Sequence, residues 1–149
     1  KVCEIGFNAG HSSELFLTTR DDIEVLSFDI GTFSYVGKCK EWLDRIYPNR
    51  HRLIIGDSTK TLPRYLSECS AEKFDLIFID GGHTYDIAKS DIANSVKLAH
   101  EGTFIIIDDL KYAPVLRAWE EALASGLIEE VERHEVSNKY WAIGKPSAI

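Results

Sequence analysis

The stretch FDLIFID at residues 74–80 decides the fold, and GTFIIIDD at residues 102–109 repeats its pattern. Both stretches are runs of mainly aromatic and branched apolar residues that end in acids. Continuous apolar runs of this kind are typical of strands in a parallel sheet, where helices cover both faces. Ligands of such sheets bind beyond the carboxyl ends of the strands. The sequence therefore predicts two strands covered on both faces, with Asp80, Asp108 and Asp109 at the ligand-binding edge.

These three acids indicate what kind of ligand the edge would bind. Burying a carboxylate is costly unless it is paired or bound to a cation. A group of Asp80, Asp108 and Asp109 therefore suggests a cation site or a substrate that carries positive charge. The alternative is that each acid only caps the helix that follows its strand.

Strand and helix patterns alternate along the rest of the chain. Between the apolar runs, residues such as Tyr85, Ala88, Ile92 and Val96 recur at steps that build one apolar face on a helix. The alternation predicts a doubly wound α/β domain with right-handed crossovers. The predicted strands comprise residues 2–7, 24–29, 51–55, 74–80, 103–108, 128–136 and 139–143.

The end of the chain breaks the alternation. Only Ser137 and Asn138 separate the last two predicted strands. So short a link requires an antiparallel hairpin. We therefore expect a mostly parallel sheet of seven strands that ends in an antiparallel hairpin.

Length and composition set the broad class. The chain has 149 residues, 44% of them hydrophobic and 28% charged, which favours a single domain over residues 1–149. A net charge of −7 argues against nucleic-acid or acidic-membrane partners, and no apolar stretch has the length of a membrane span. The scattered cysteines lack disulfide or zinc spacing, which favours a reducing, cytoplasmic location. Because a core strand begins almost at residue 1, we expect that a longer natural protein carries an N-terminal extension.

The first strand runs into the turn EIGFNAGHSS at residues 4–13. Gly6 and Gly10 let the backbone turn tightly and approach a ligand, and Ser12 or Ser13 can cap the next helix. The glycine spacing differs from the G-x-G-x-x-G pattern that binds a pyrophosphate. A nucleoside with a non-phosphate tail therefore fits better than a dinucleotide, although such a turn is often only structural.

Two further strand ends carry nucleoside-binding candidates. Asp29 ends the second strand about 20 residues after Gly10, where a carboxylate can accept both ribose hydroxyls. Gly56, Asp57 and Ser58 follow the third strand. Asp57 could accept from an adenine amino group, and the Ser58 backbone N–H could donate to a ring nitrogen. Ordinary turn chemistry before a helix explains these three residues equally well.

Taken together, these strand ends resemble the class I S-adenosylmethionine (SAM)-dependent methyltransferases. The turn at residues 4–10 looks like that family's first motif, Asp29 its ribose-binding acid, and residues 56–58 its adenine-side turn. The resemblance implies a Rossmann-like fold and SAM as the cofactor. It implies cofactor contacts at Glu4, Gly6, Asn8, Gly10, Ser12, Asp29, Asp57, Ser58 and Asp80.

Among these enzymes, the chain is similar to the small O-methyltransferases of the catechol and caffeoyl-CoA type and of the macrocin type. The catechol type holds a divalent ion with an Asp after the fourth strand and an Asp-Asn pair after the fifth. Asp80 and Asp108 match two of these ligands, and Asp109 stands where the Asn would be. Three carboxylates suit octahedral Mg²⁺, although the extra charge puts metal affinity and selectivity in doubt.

The same resemblance points to a catalytic base. The catechol type has a lysine three residues after its first metal-binding Asp, and here that position is His83. A histidine can take a proton from a hydroxyl near neutral pH. The alternative is a loop residue or helix cap. Asp80 and His83 are thus the catalytic candidates.

The leading hypothesis is methyl transfer from SAM to a hydroxyl oxygen of a small molecule, assisted by a divalent metal. A second hypothesis keeps the fold without the metal, so that the acids bind the SAM ammonium group. A third is an incomplete, non-catalytic SAM-binding domain. The glycine spacing disfavours a fourth, an NAD-dependent dehydrogenase.

Overall fold

The computed structural model describes residues 1–69 and 72–147. Five α-helices alternate with the strands, and two strands end the described chain. The strands are β1 (Val2–Ile5), β2 (Val25–Asp29), β3 (His51–Ile55), β4 (Phe74–Ile79), β5 (Ala99–Ile107), β6 (Ile128–Val136) and β7 (Lys139–Pro146). The helices are α1 (His11–Thr19), α2 (Val36–Ile46), α3 (Ser58–Glu68), α4 (Tyr85–Leu98) and α5 (Ala113–Ala124).

The strands form one seven-stranded sheet in the order β3-β2-β1-β4-β5-β7-β6. The first five strands pair in parallel, whereas β7 is antiparallel to both β5 and β6. Val136 pairs with Lys139 across the final turn. The predicted doubly wound, Rossmann-like sheet with a C-terminal antiparallel hairpin is therefore confirmed.

Two apolar cores cover the two faces of the sheet. One face packs against α3, α4 and α5 through residues such as Leu62, Ile92 and Trp119. The other packs against α1 and α2 through Leu17 and Leu43. Because the parallel strands lie between these layers, their carboxyl ends open at one shared edge.

Two predictions about β5 were wrong. The strand begins at Ala99, not at residue 103, because a bulge follows its first pairing with Phe74. The Thr103 hydroxyl closes the bulge by donating to the Phe74 carbonyl (2.6 Å) and accepting from the His100 N–H (2.8 Å). In addition, Phe104 is 40% exposed, with the Lys145 amine against its ring, so helices do not cover both faces here.

Among the described residues, no helix combines the length and the apolar character needed to cross a membrane.

Candidate active site

A cleft opens at the carboxyl ends of β1, β2, β3 and β4. The four strands deliver the predicted cofactor residues to this one place because their parallel register aligns the loops that follow them. Six of the predicted cofactor residues line the cleft: Gly6, Asn8, Asp29, Asp57, Ser58 and Asp80. Apolar walls come from Ile5, Phe28, Ile30, Phe33 and Ile87.

Gly6 lets the first turn pass directly over the end of β4. Its φ of 103° lies in the left-handed region, and a Cβ there would stand 1.9 Å from the Asp80 carbonyl oxygen. Only glycine fits so close an approach. The first turn and the Asp80 loop therefore form one wall of the cleft.

Asn8 and Asp29 join the first turn to the end of β2. The Asn8 N–H donates to one Asp29 carboxylate oxygen (2.8 Å), and the Gly31 N–H donates to the other (2.7 Å). The Tyr35 hydroxyl donates to the Asn8 side-chain carbonyl. A carboxylate oxygen can accept two hydrogen bonds, and each Asp29 oxygen accepts one here, so Asp29 keeps capacity for ribose hydroxyls.

Glu4 and Ser12 lie beneath the cleft, not along it. Glu4 has no exposed surface, and its carboxylate accepts hydrogen bonds from Ser12, Ser13 and Ser27. Burial raises the pKa of Glu4, while the three hydroxyl donors oppose that rise. The prediction that Ser12 or Ser13 caps α1 was wrong, since Gly10 occupies the N-cap position and both hydroxyls turn inward to Glu4.

At the third strand end, Asp57 is the N-cap of α3. Its Oδ1 accepts from the Thr59 N–H (3.0 Å) and the Thr59 hydroxyl (2.7 Å), which is the turn chemistry that the sequence left open. Ser58 is the first residue of α3 and lines the cleft. Because the first N–H groups of a helix lack partners within it, the N-terminus of α3 offers donors to a ligand.

Asp80 stands where the cleft meets a second group of charged residues. Burial, and then the nearby charges of Asp108 and Asp109, raise the pKa of Asp80 to about 7. Such a concentration of carboxylates is typical of a site built for a positively charged ligand.

His83 and Asp109 form a close pair beside Asp80. His83 Nε2 lies 2.7 Å from Asp109 Oδ2, and the imidazole stacks on Tyr112 with 4.4 Å between ring centroids. Asp109 holds a left-handed φ of 61°, an unfavourable conformation for a residue with a side chain. The Leu110 N–H, which donates to the Tyr140 carbonyl (2.9 Å), ties this turn to the final hairpin.

The residues that lie close enough together to bind a metal differ from the predicted ligands Asp80, Asp108 and Asp109. One ligand atom each from Asp80, His83 and Asp109 lies within 4.8 Å of the others. Asp108 is placed differently: its Oδ1 accepts from the Asp109 N–H (2.7 Å), and its Oδ2 lies 3.8 Å from Lys139 Nζ. The structure therefore brings His83 into the group in which the sequence predicted Asp108.

Sequence reasoning missed the burial of two polar residues, Asp91 and His51. Asp91 has no exposed surface, and its Oδ2 lies 3.0 Å from where a Cβ on Gly81 would stand. Asp91 lies on the apolar face of α4 beside Ala88 and Ile92, and this helical spacing could have predicted its burial from the sequence. His51, interpreted only as the start of a strand, is buried and contacts Ser27 (2.9 Å).

Comparisons with known proteins bear on this geometry. Residues 3–110 match the model of a family described as a methyltransferase domain. No curated protein matches the chain.

Solved structures share the fold. An O-methyltransferase from Bacillus cereus, solved with SAH, is 18% identical with a TM-score of 0.78, over 97% of this chain and 73% of that one. TomG from Streptomyces achromogenes, an O-methyltransferase of tomaymycin synthesis solved with SAM, is 17% identical with a TM-score of 0.78, over 99% and 73%. CalS11, a TDP-rhamnose 3'-O-methyltransferase of calicheamicin biosynthesis, is 18% identical with a TM-score of 0.75, over 95% and 70%.

Proposed function

The chain belongs to the methyltransferase domain family, and from that premise we propose that it transfers the methyl group of SAM to a hydroxyl oxygen of a small molecule. One observation carries the proposal: residues predicted from four separate strand ends line a single cleft, and Asp80 joins that cleft to the His83–Asp109 pair. The three similar structures named above are O-methyltransferases, which supports oxygen as the acceptor atom.

The residues of the cleft fit SAM. Gly6 leaves room for a ligand to approach the backbone, and the Asp29 carboxylate suits the ribose hydroxyls. Ser58, at the N-terminus of α3, offers its backbone N–H to the adenine ring, and Asp57 has Oδ2 for the amino group. We assign Asp80 to the positively charged end of SAM, because its carboxylate neighbours favour a cation there.

In this mechanism the chain aligns two reactants and removes a proton. Bound SAM supplies a sulfonium methyl group that is open to in-line attack. Asp80 fixes the donor, and the group around His83 fixes the acceptor hydroxyl, so that alignment accounts for much of the rate. His83 accepts the proton of that hydroxyl, while Asp109 orients the imidazole from 2.7 Å.

A divalent metal fits the same group of residues. Asp80, His83 and Asp109 would hold it, and it would lower the pKa of the acceptor hydroxyl. With the metal bound, His83 would be one of its ligands and not the base. With an imidazole in the donor set, Mn²⁺ or Zn²⁺ suits the residues better than the Mg²⁺ expected from carboxylates alone. We propose the metal as part of the site, with Asp108 outside its direct ligands.

The His83–Asp109 contact favours a second candidate, metal-independent methyl transfer. A histidine oriented by a carboxylate can act as a base without a metal. The two candidates differ in one measurable respect, the response of methyl transfer to EDTA.

The first test is calorimetric titration with SAM. We expect binding by the wild type and a loss of about tenfold or more in affinity for Asp29→Ala, since the ribose hydroxyls would lose a charged acceptor. Asp22→Ala is the matched control, because Asp22 is exposed and its one ion pair among the described residues is with Arg20. A wild type that binds no SAM would overturn the proposal, and binding without transfer to any of a panel of phenols and sugars would indicate a non-catalytic SAM-binding domain.

We also propose that the described residues act as one domain and that the protein works in the reducing cytoplasm. The free thiols of Cys3, Cys39 and Cys69 support the second point.

A further inference from the structure

A buried polar cluster lies beneath the first turn and comprises Glu4, Ser13, Ser27 and His51. The first three have no exposed surface, and His51 is 4% exposed. The four side chains come from β1, α1, β2 and β3, so the cluster crosses three neighbouring strands. The mechanism described above uses neither Ser27 nor His51.

Counting hydrogens assigns the direction of the contact between Ser27 and His51; the Ser13 oxygen also lies 2.9 Å from that of Ser27 and 3.4 Å from His51 Nε2. Glu4 Oε2 accepts from the hydroxyls of Ser13 and Ser27, the second at 2.6 Å. A serine hydroxyl carries a single hydrogen, so with Glu4 ionised neither serine has one left for His51. His51 Nε2 lies 2.9 Å from the Ser27 oxygen. The hydrogen in that contact therefore belongs to His51.

The surroundings of His51 agree with a neutral ring that has one N–H. The imidazole stacks on Phe7 with 5.0 Å between centroids, and its Nδ1 is buried with no partner among the described residues. Burial, together with the charge of Lys40, lowers the pKa of His51 to about 4, although Asp44 opposes this shift. The N–H is thus on Nε2, and it points at Ser27.

We propose that His51 is a positioning residue for cofactor binding. Its Nε2–H donates to Ser27 and directs the Ser27 hydroxyl to Glu4, and Glu4 in turn holds Ser12 and Ser13 at the start of α1. The turn at residues 6–10 connects Glu4's strand to that helix, so its shape depends on this chain of contacts. The inference rests on the proposed function, because it concerns SAM binding.

Two substitutions separate the N–H from the bulk of the ring. In His51→Gln, the amide nitrogen reaches the place of Nε2, whereas in His51→Asn it reaches only the place of Nδ1. By calorimetry we expect His51→Gln to bind SAM within about threefold of wild type and His51→Asn to bind about tenfold more weakly. The kcat at saturating SAM should stay near the wild-type value in both, because His51 touches no reacting group.

The tautomer can be read without any cofactor. A long-range ¹H–¹⁵N NMR spectrum of the wild type at neutral pH should show His51 protonated on Nε2 and bare on Nδ1. Protonation on Nδ1 would overturn the inference, since Ser27 would then have to donate to His51.

The outcomes distinguish this inference from the proposed function. If the wild type binds no SAM, the proposed function fails and the positioning role fails with it. If the wild type binds but His51→Asn binds equally well, or both variants lose affinity equally, only the positioning role is overturned. Should circular dichroism show that His51→Asn is unfolded, Ser27→Ala, which removes the same link, is expected to show the same loss.

Discussion

The carboxylates of Glu4 and Asp80 lie at neighbouring strand ends of one sheet, but their partners are of opposite kinds. Glu4 is surrounded by three serine hydroxyls that donate to it. Asp80 is next to Asp108 and Asp109, and burial, together with their charges, raises its pKa to about 7. A carboxylate satisfied from within the protein supports the structure, whereas one placed beside like charges is available to a ligand.

The comparison divides the cleft into a supporting side and a reacting side. On the supporting side, buried hydroxyls and His51 hold the first turn. On the reacting side, His83 and Asp109 are accessible enough to meet an acceptor, with exposed fractions of 46% and 17% for their side chains. Substitutions on the two sides should therefore have different effects, on cofactor affinity or stability in one case and on turnover in the other.

The largest effect is expected at Asp80. Asp80→Ala removes the group that we propose faces both reactants, so we expect kcat/KM for methyl transfer to fall about a thousandfold. The assay follows labelled methyl from SAM to the best acceptor in a panel of phenols and sugars. Asp86→Ala, at an exposed acid in the first turn of α4, should leave the rate unchanged. A rate for Asp80→Ala within tenfold of wild type would remove Asp80 from the reacting side.

The next effect concerns the wall that the two sides share. In Gly6→Ala, a Cβ would stand 1.9 Å from the Asp80 carbonyl oxygen at a φ of 103°, so we expect a loss of about 3 kcal/mol or more in the free energy of unfolding. Gly37→Ala is the matched control: a Cβ there has no atom within 4 Å, and alanine has a higher helix propensity than glycine in the first turn of α2. Stability should therefore rise by up to about 1 kcal/mol. Urea titration measures the free energy of unfolding of both variants. Equal values would show that the close approach of Gly6 to Asp80 does not limit stability.

A smaller loss is expected at His83. His83→Ala should lower kcat about a hundredfold and leave the affinity for SAM unchanged, because the base acts on the acceptor. His134→Ala, which replaces a half-buried histidine on β6 that stacks on Trp141, serves as the control. If His83→Ala weakened SAM binding as much as turnover, His83 would belong to the supporting side.

Repeating the wild-type assay with EDTA decides between metal-dependent and metal-independent methyl transfer, since only the metal-dependent enzyme loses activity.

The smallest effect is expected at Asp91, a third buried acid that can be compared with Glu4 and Asp80. Among the described residues, Asp91 has no hydrogen-bond partner within normal distance, and burial raises its pKa to about 7, although the nearby Ser58 hydroxyl opposes this rise. The folded protein therefore binds this proton more tightly than the unfolded chain, so ionising Asp91 costs stability as pH rises from about 4 to about 7. Asparagine does not titrate. Between pH 5 and pH 6, Asp91→Asn should thus gain about 1.4 kcal/mol on wild type. Urea unfolding at several pH values measures the difference, and a constant difference would contradict it.

Much of the fold could be predicted because its signals are local. The apolar runs before Asp80 and Asp108 predicted two core strands, and the short link at Ser137 and Asn138 predicted the antiparallel hairpin. The same strand ends predicted most of the cleft, since parallel strands open at one edge.

The rest depends on contacts between residues that are distant in sequence. The left-handed turn at Asp109, held by the contact from Leu110 to Tyr140, turns Asp108 toward Lys139 and brings Asp109 to His83. No local pattern distinguishes the two adjacent acids. Likewise, Ser12 and Ser13 are residue types that often cap helices, but here both hydroxyls donate to the buried Glu4 carboxylate instead.

A crystal structure of the protein with S-adenosylhomocysteine tests the central claim most directly. We expect the ligand in the cleft, with its ribose hydroxyls on Asp29, its adenine ring beside Ser58 and its amino group toward Asp80. Density for the ligand elsewhere, or a cleft without ligand at concentrations that saturate binding in solution, would contradict the account.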